Sequence, residues 1–408
     1  MLMGLEMPAL SATIARMDDP KTQLAAFGII FPVALLIESP IMMMLAASTK
    51  LSTDLRSYLT VRRYMTIISV VLTLFHAALV FTPLFDLVIV TLLDPPHATI
   101  EPVRRALFFL LPWTWAIADR RFHQGLLIRF GRSRTIGIGT VIRLMVTILM
   151  LVVVSMEGSL SGVETAALAL SMAVIAEAIY VRIVSRDVIR GPLTAAKERE
   201  TPITPAFFRS FYIPLALTPM VGLLALPLAV AGIAQMPNAM DSLAAWPVIG
   251  GTVFLSRCTG MAFNEVTVTL AGRPGGTQRL QRFGWVIGAL FSLGLLVLAA
   301  TPASHLLFQD AINLSAPITA IAVSSILLAI PLPILTFIMS FRQGLLVHRQ
   351  ETRGITEAVI LSVITLGTVL WIGTQLNTID GARCAIIAMV AGATVQVIWL
   401  RFRSGPAT

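Results

Sequence analysis

Eleven ionisable side chains sit inside stretches that are otherwise almost wholly apolar: Glu6, Glu38, Asp119, Arg120, Arg121, Arg143, Glu177, Arg257, Glu265, Arg342 and Glu357. In hydrocarbon such a charge costs roughly 2.5–3.5 kcal/mol on insertion scales, so it marks a pathway or a pair. The chemistry open to them is the holding of a proton, a cation or an anionic group. Glu38 and Arg257 are the best placed, each near the centre of its apolar stretch and 219 residues apart. Asp119, Arg120 and Arg121 form the densest cluster. Successive helical residues point about 100° apart, so at most two of the three share a face. Asp119 and His123, four apart, do share one; they form either a proton-linked pair or part of a solvated patch at an opening, the latter being favoured. Arg143 and Glu177 can neutralise each other, and Glu265 beside Asn264 is expected at the surface.

These residues need elements that hold them in a membrane. The chain is 56% hydrophobic and 12% charged, half the charge of an ordinary soluble domain. Its mean hydropathy is +0.86. Apolar stretches such as Ala106–Ala118, Leu144–Ser155 and Ile287–Ala300 recur from end to end. A hydrocarbon core about 30 Å thick needs about 20 residues per helical span, and backbone there must satisfy its own hydrogen bonds. The class is an all-α polytopic membrane protein. The net charge of +9 does not point to nucleic acid, which needs basic residues clustered on an exposed domain; no segment is polar enough to make one. Cys258 and Cys384 fall inside spans without metal or disulfide spacing and read as inert thiols. The N-terminus lacks a basic region, so no cleaved signal peptide is expected.

An internal repeat organises the whole chain. RFHQGLLIRFGRSRTI at 121–136 returns as SFRQGLLVHRQETRGI at 340–355, with seven of sixteen positions identical. The same offset of 219 places Pro8 on Pro227, Leu24-Ala25-Ala26 on Leu243-Ala244-Ala245, Thr82-Pro83 on Thr301-Pro302, Pro112 on Pro331 and Arg182 on Arg401. Twelve spans follow: 1–17, 23–49, 63–85, 103–128, 135–156, 162–182, then 207–235, 242–270, 282–304, 315–348, 354–375 and 380–401. They make an N-lobe (1–184), a polar cytoplasmic linker (185–206) and a C-lobe (207–404). The counterpart of the start of span 7 would lie about twelve residues before Met1, so helix 1 is expected to be truncated at its N-terminus; a start placed too late is the favoured reason.

Basic residues set the orientation. With the N-terminus inside, twenty of the thirty Lys and Arg lie at cytoplasmic ends and five outside. The expectation is an integral protein of a bacterial cytoplasmic (inner) membrane, N-in and C-in. Six spans per lobe give both lobes one orientation, so the repeat is parallel, with its axis along the membrane normal.

Twelve helices in two parallel six-helix lobes joined by short loops resemble the MOP flippase superfamily, which includes MATE (multidrug and toxic compound extrusion) transporters, lipid II and oligosaccharide flippases and progressive-ankylosis-type transporters. The repeated Gln-Gly-Leu-Leu before a basic turn is similar to the loops after helices 4 and 10 of that group. The likeness covers the full chain and rests on architecture. It implies alternating access around a central cavity lined by helices 1, 2, 7 and 8. Pro8 and Pro227 would then bend cavity-lining helices, as flexing points or as static kinks; Pro112 and Pro331 invite the same two readings. Glu38 and Arg257 would face one another across the cavity as a lobe-to-lobe ion pair, or each would pair within its own lobe, Arg257 with Glu265. Glu6, Asp119, Arg120, Arg121, His123 and Arg342 complete the candidate cavity set. MATE exporters of organic cations often use acids in helices 1, 7 or 10; here only Glu6 in helix 1 fits, and Arg342 stands where the first copy has His123.

The intramembrane arginines favour a carboxylate or phosphate group, which a guanidinium holds with two bonds. The expected function is secondary transport of a small organic, anionic or amphiphilic substrate, driven by an ion gradient (H+ or Na+ as the candidate coupling ion), a partner or the substrate's own gradient. The alternative is a flippase for a lipid-linked phosphate-containing precursor, and a non-transporting scaffold ranks below both. Enzymatic activity is not expected: five His lack metal spacing and the loops are too short for a catalytic constellation. No nucleotide-binding loop and no cofactor motif occur. Membrane lipid and the substrate are the expected partners, and a monomer is the expected state.

Overall fold

The computed structural model describes residue 4, residues 6–349, residue 351 and residues 353–405. Among them the chain forms twelve helical rods. Helix 1 is Glu6–Ile14, and its expected start at 1–3 and 5 lies outside the described residues. Helix 2 runs Pro20–Glu38, breaks, and resumes as Met44–Leu51. Helix 3 is Leu55–Phe81; helix 4 is Ile100–Phe109 followed by Leu111–Arg129; helix 5 is Arg134–Glu157; helix 6 is Gly162–Val188. The second lobe repeats them as helix 7 (Pro205–Ala234), helix 8 (Ala239–Leu270), helix 9 (Gly276–Ala300), helix 10 (Ala316–Ala329 then Pro331–His348), helix 11 (Arg353–Leu376) and helix 12 (Gly381–Ser404). Eight of these rods are long and apolar enough to cross a membrane, and helix 10, bent by 41°, makes a ninth. Helix 1 is too short for that test, helix 4 is split, and Arg257 with small polar neighbours lowers the hydropathy of helix 8.

The repeat extends to the backbone. Asp19 and Asn238, Asp94 and Asn313, and Gly158 and Asn377 are three pairs at the 219 offset, and all six residues are left-handed. Asp, Asn and Gly tolerate that conformation best, which explains why the side chains differ while the turn survives. Short π-helical segments recur too, at Asp86–Leu93 and Leu306–Ala311.

The twice-written Gln-Gly-Leu-Leu also has a packing reason. A Cβ on Gly125 would collide with the Leu45 carbonyl and Ser48; one on Gly344 would collide with Thr267 and the Asn264 carbonyl. These are equivalent places, where helix 4 crosses the second part of helix 2 and helix 10 crosses helix 8. Only a glycine lets the backbones meet so closely. Leu126, Leu127, Leu345 and Leu346 behind them are buried. The motif is a crossing point rather than a loop site.

Three departures from the sequence reading bear on function. Helix 2 is not one rod: Ser39–Ile41 forms a 3-10 turn at Pro40. Proline lacks the N–H that would continue the ladder, and the Pro40 carbonyl is met by the Tyr212 hydroxyl of helix 7, which donates to it at 2.7 Å. Helix 6 continues through Val188 into a π turn ending at Leu193, so part of the expected linker is helical. Pro8 lies in the first turn of helix 1, where a missing N–H breaks no bond within that helix. Pro227 is internal to helix 7, together with Pro214 and Pro219. Pro112 and Pro331 occupy the first turn of the second segments of helices 4 and 10.

The lobes meet closely at the end carrying the helix 1–2 turn, which charge bias assigns to the outside. Gly28 of helix 2 lies against helix 8, where an added Cβ would stand 2.6 Å from the Leu243 carbonyl. The Arg16 guanidinium donates to the Ala311 and Ile312 carbonyls, the Asn313 amide donates to Ala15 O, and Lys21 pairs with Asp241 at 2.8 Å.

Valine at Gly125 or at Gly344 is expected to destabilise the protein by about 1–3 kcal/mol, read as a lower thermal midpoint of purified protein in detergent. Alanine at Gly137 or Gly294, where an added Cβ meets nothing, should leave the midpoint in place.

Candidate functional site

The buried charges gather in the N-lobe. Glu6 of helix 1 accepts two bonds from Arg143 of helix 5, from Nε at 3.0 Å and Nη2 at 2.5 Å, and the Thr147 hydroxyl donates to the same carboxylate at 2.9 Å. Glu177 of helix 6 accepts from Arg120 Nη1 at 2.7 Å and from the Gln124 amide at 3.0 Å, both on helix 4. All four charged groups are buried. The expected Arg143–Glu177 neutralisation is therefore replaced by two other pairs. Helix 1 packs on helix 5 and helix 4 on helix 6, and each arginine takes the carboxylate that its neighbour presents.

Asp119, also on helix 4, sits beside His123 (Nδ1 to Oδ2, 3.4 Å) and 4.0 Å from Arg182. His123 Nδ1 is also 2.8 Å from the Asp119 backbone carbonyl, to which it donates when protonated there. Both side chains are buried, which overturns the solvated-patch reading. Glu38 ends the first part of helix 2 and is 2% exposed, yet its Oε2 has no hydrogen-bond partner. Arg121 is half-buried, has no carboxylate within 4.0 Å among the described residues, and reaches Met42 Sδ at 3.6 Å.

Glu38 and Arg257 are not paired in this conformation, which corrects the lobe-to-lobe ion pair. Arg257 turns into its own lobe and donates from Nε to the Thr336 hydroxyl of helix 10 at 2.6 Å. Equivalent positions have unequal surroundings here: Pro40 breaks helix 2 just beyond Glu38, whereas Thr259 keeps helix 8 continuous. The alternative partner Glu265 is exposed and forms no pair with Arg257. Arg342 is also placed elsewhere than in the cavity set. It lies between helices 9, 10 and 12 and donates to Ser404 Oγ and Gly405 O. Glu357 takes Arg403 and Arg353 near a helix end.

The network has no copy in the second lobe. At the 219 offset, Glu6, Arg120, Arg143, Thr147 and Glu177 become Ala225, Met339, Ser362, Leu366 and Gln396. Sequence reasoning missed Thr147, whose only signal is one helical turn from Arg143, and it marked Gln124 as part of the repeated Gln-Gly-Leu-Leu without giving it a place in the charge network. It also missed Pro40 and Tyr212; the signal was a proline two residues after a mid-span glutamate. Among the described residues no group of three or more His, Cys, Asp and Glu is placed to hold a metal.

The arrangement can therefore do one thing that paired charges cannot. Two carboxylates are saturated with donors, and Asp119 has neighbouring donors. Glu38 is left to be satisfied by a proton, a cation or a donor from a bound molecule, since an unmatched buried carboxylate oxygen is costly. It stands at the helix 2 break, which the C-lobe touches through Tyr212.

Removing one partner of the Glu6–Arg143 pair strands the other in a buried site, a loss of about 3–5 kcal/mol. Glu6→Leu or Arg143→Met alone should sharply lower thermal stability in detergent, and the double variant should recover most of the loss.

No family model matches the sequence, and a search of curated proteins found no match. Solved structures do match over nearly the whole chain. An inward-facing multidrug resistance MATE family transporter of the MOP superfamily superposes with a TM-score of 0.82 at 14% identity, over 99% of this chain and 94% of that one. The outward-facing form of such a transporter gives a TM-score of 0.65 at 15% identity, over 99% and 95%. The lipid II flippase MurJ in an inward closed conformation gives 0.71 at 12% identity, over 98% and 85%. The chain is an integral membrane protein with the two-lobed, twelve-helix fold of the MATE and MurJ transporters.

Proposed function

We propose that this protein is a secondary transporter that carries a small organic anion or amphiphile across a bacterial cytoplasmic membrane by alternating access of its two lobes, as an N-in, C-in monomer. The observation that carries the proposal is the unmatched Glu38 carboxylate at the break of helix 2, with Arg121 beside that break and no carboxylate within 4.0 Å of it among the described residues. Protonation or cation binding at Glu38 changes the charge at the point where helix 7 touches helix 2. A change there has two discrete outcomes, because the Pro40 carbonyl either keeps the Tyr212 hydroxyl or loses it. That is the kind of two-state element through which an ion gradient drives a conformational cycle. H+ is the simplest coupling ion, since a lone carboxylate offers few of the oxygens that a metal cation takes.

The substrate class rests on the arginines. Arg121 from the N-lobe and Arg257 from the C-lobe each lack a carboxylate within 4.0 Å among the described residues, and both are half-buried. A carboxylate or phosphate group is the chemistry that would complete them. A second reading, a flippase for a lipid-linked phosphate-containing precursor, uses the same arginines and is supported by the likeness to the lipid II flippase.

The test is uptake into proteoliposomes with an imposed pH gradient, offering labelled organic anions, organic cations and a lipid-linked diphosphate in separate arms. Concentrative uptake of an anion is expected. Glu38→Gln should lower it at least tenfold without changing the thermal midpoint, and Arg257→Gln should raise KM at least tenfold. Uptake of cations alone would remove the anionic reading. Movement of the lipid-linked substrate alone would establish the second. Unchanged coupling in Glu38→Gln would show that Glu38 is not the coupling group.

A further inference from the structure

The C-lobe has a cleft apart from the buried charges of the N-lobe. Helix 10 floors a cleft of 320 Å³ whose walls are helices 9 and 12. Neither wall helix packs against the N-lobe, so the cleft lies on the periphery and not between the lobes. Arg342, Arg401 and Gln281 ring one end of it, while Trp285, Ile338 and Val397 line it with apolar surface. That end is close to the last turns of helices 10 and 12 and the first turn of helix 9. At 1.5 Å per residue the three polar groups sit within about 10 Å of the helix ends, at the level of lipid headgroups on the side that charge bias makes cytoplasmic.

The charges there are unbalanced. Among the described residues no carboxylate lies within 4.0 Å of Arg342, Arg349 or Arg401, and the nearby acid of helix 11, Glu357, is taken by Arg353 and Arg403. Arg342 uses Nη1 to hold Ser404 and Gly405, and Arg349 donates to the Ser404 carbonyl. The guanidinium of Arg401 makes no protein hydrogen bond among these residues.

The duplication shows what is missing. At the 219 offset Arg401 corresponds to Arg182, Arg342 to His123 and Ile338 to Asp119. In the N-lobe the acid closes the site, with His123 at 3.4 Å and Arg182 at 4.0 Å from its oxygens. The C-lobe has arginines at both basic positions and isoleucine in place of the acid. The position that Asp119 fills in the other lobe is open to an anion from outside the chain.

We infer that this cleft binds an anionic phospholipid, with the headgroup phosphate on Arg342 and Arg401 and the first part of an acyl chain along Ile338, Trp285 and Val397. A basic pocket between membrane helices at the cytoplasmic face matches such headgroups, and the apolar length of the cleft selects a lipid over a free anion.

The full-length protein, purified in detergent, is examined by native mass spectrometry with phosphatidylglycerol, phosphatidylcholine and inorganic phosphate as separate probes. Wild type should hold phosphatidylglycerol about tenfold or more tightly than phosphatidylcholine and should not retain phosphate. Arg401→Gln, an exposed position, should abolish the preference without altering the thermal midpoint. Ile338→Asp, which supplies the acid of the other lobe, should abolish it as well. Equal binding of the two lipids by wild type, or a preference that survives Arg401→Gln, overturns the inference. Retention of phosphate as strong as that of phosphatidylglycerol also overturns it, in favour of a plain anion site.

Discussion

A charge inside hydrocarbon needs a partner, and this constraint organises the N-lobe. Glu6 must be reached by Arg143, and Glu177 by Arg120 and Gln124, so helix 1 is tied to helix 5 and helix 4 to helix 6 by bonds that apolar packing alone would not specify. Hydrophobic contact gives no driving force between helices in lipid; polar bonds and close packing supply the register. With those two carboxylates saturated, the one left without a donor is conspicuous. Glu38 is buried with a free oxygen beside a break in its own helix, and the transport reading grows from that vacancy in the bonding.

The duplicated chain has kept its geometry and divided its chemistry. Left-handed turn residues and close-approach glycines survive in both copies at one offset, because backbone conformation and helix crossings tolerate little change. The buried acids survive only in the first copy. The second copy holds Arg257 on Thr336 and leaves a peripheral arginine pair without an acid. Two lobes with one shape and different buried charges can present different groups to a bound molecule, which two identical lobes cannot.

Helix positions were largely legible in the sequence. Helices 5 and 11 were expected at 135–156 and 354–375 and run Arg134–Glu157 and Arg353–Leu376, since each apolar run stops at charged or polar residues. The break in helix 2 left one signal, Pro40 two residues after Glu38, which a hydropathy reading of the span passes over because it is blind to a missing N–H. The pairing of charges was the least accessible. Glu6 and Arg143 are joined by how helices 1 and 5 pack, which no spacing along the chain encodes. The expected Glu38–Arg257 pair assumed that equivalent positions share surroundings, and a single proline removes that equivalence.

The bonds that hold the two lobes together at the helix 1–2 turn lie close to water. Lys21 is about half exposed and its partner Asp241 about a fifth, and Arg16 binds backbone carbonyls near the surface. Solvent-exposed ion pairs contribute only about 0–1 kcal/mol each. These polar bonds are light, so the close packing of helix 2 on helix 8, with Gly28 against the Leu243 carbonyl, carries most of the seam. On the proposal that Glu38 is the coupling group, the side of the membrane the protein faces is set in its interior rather than by these surface bonds.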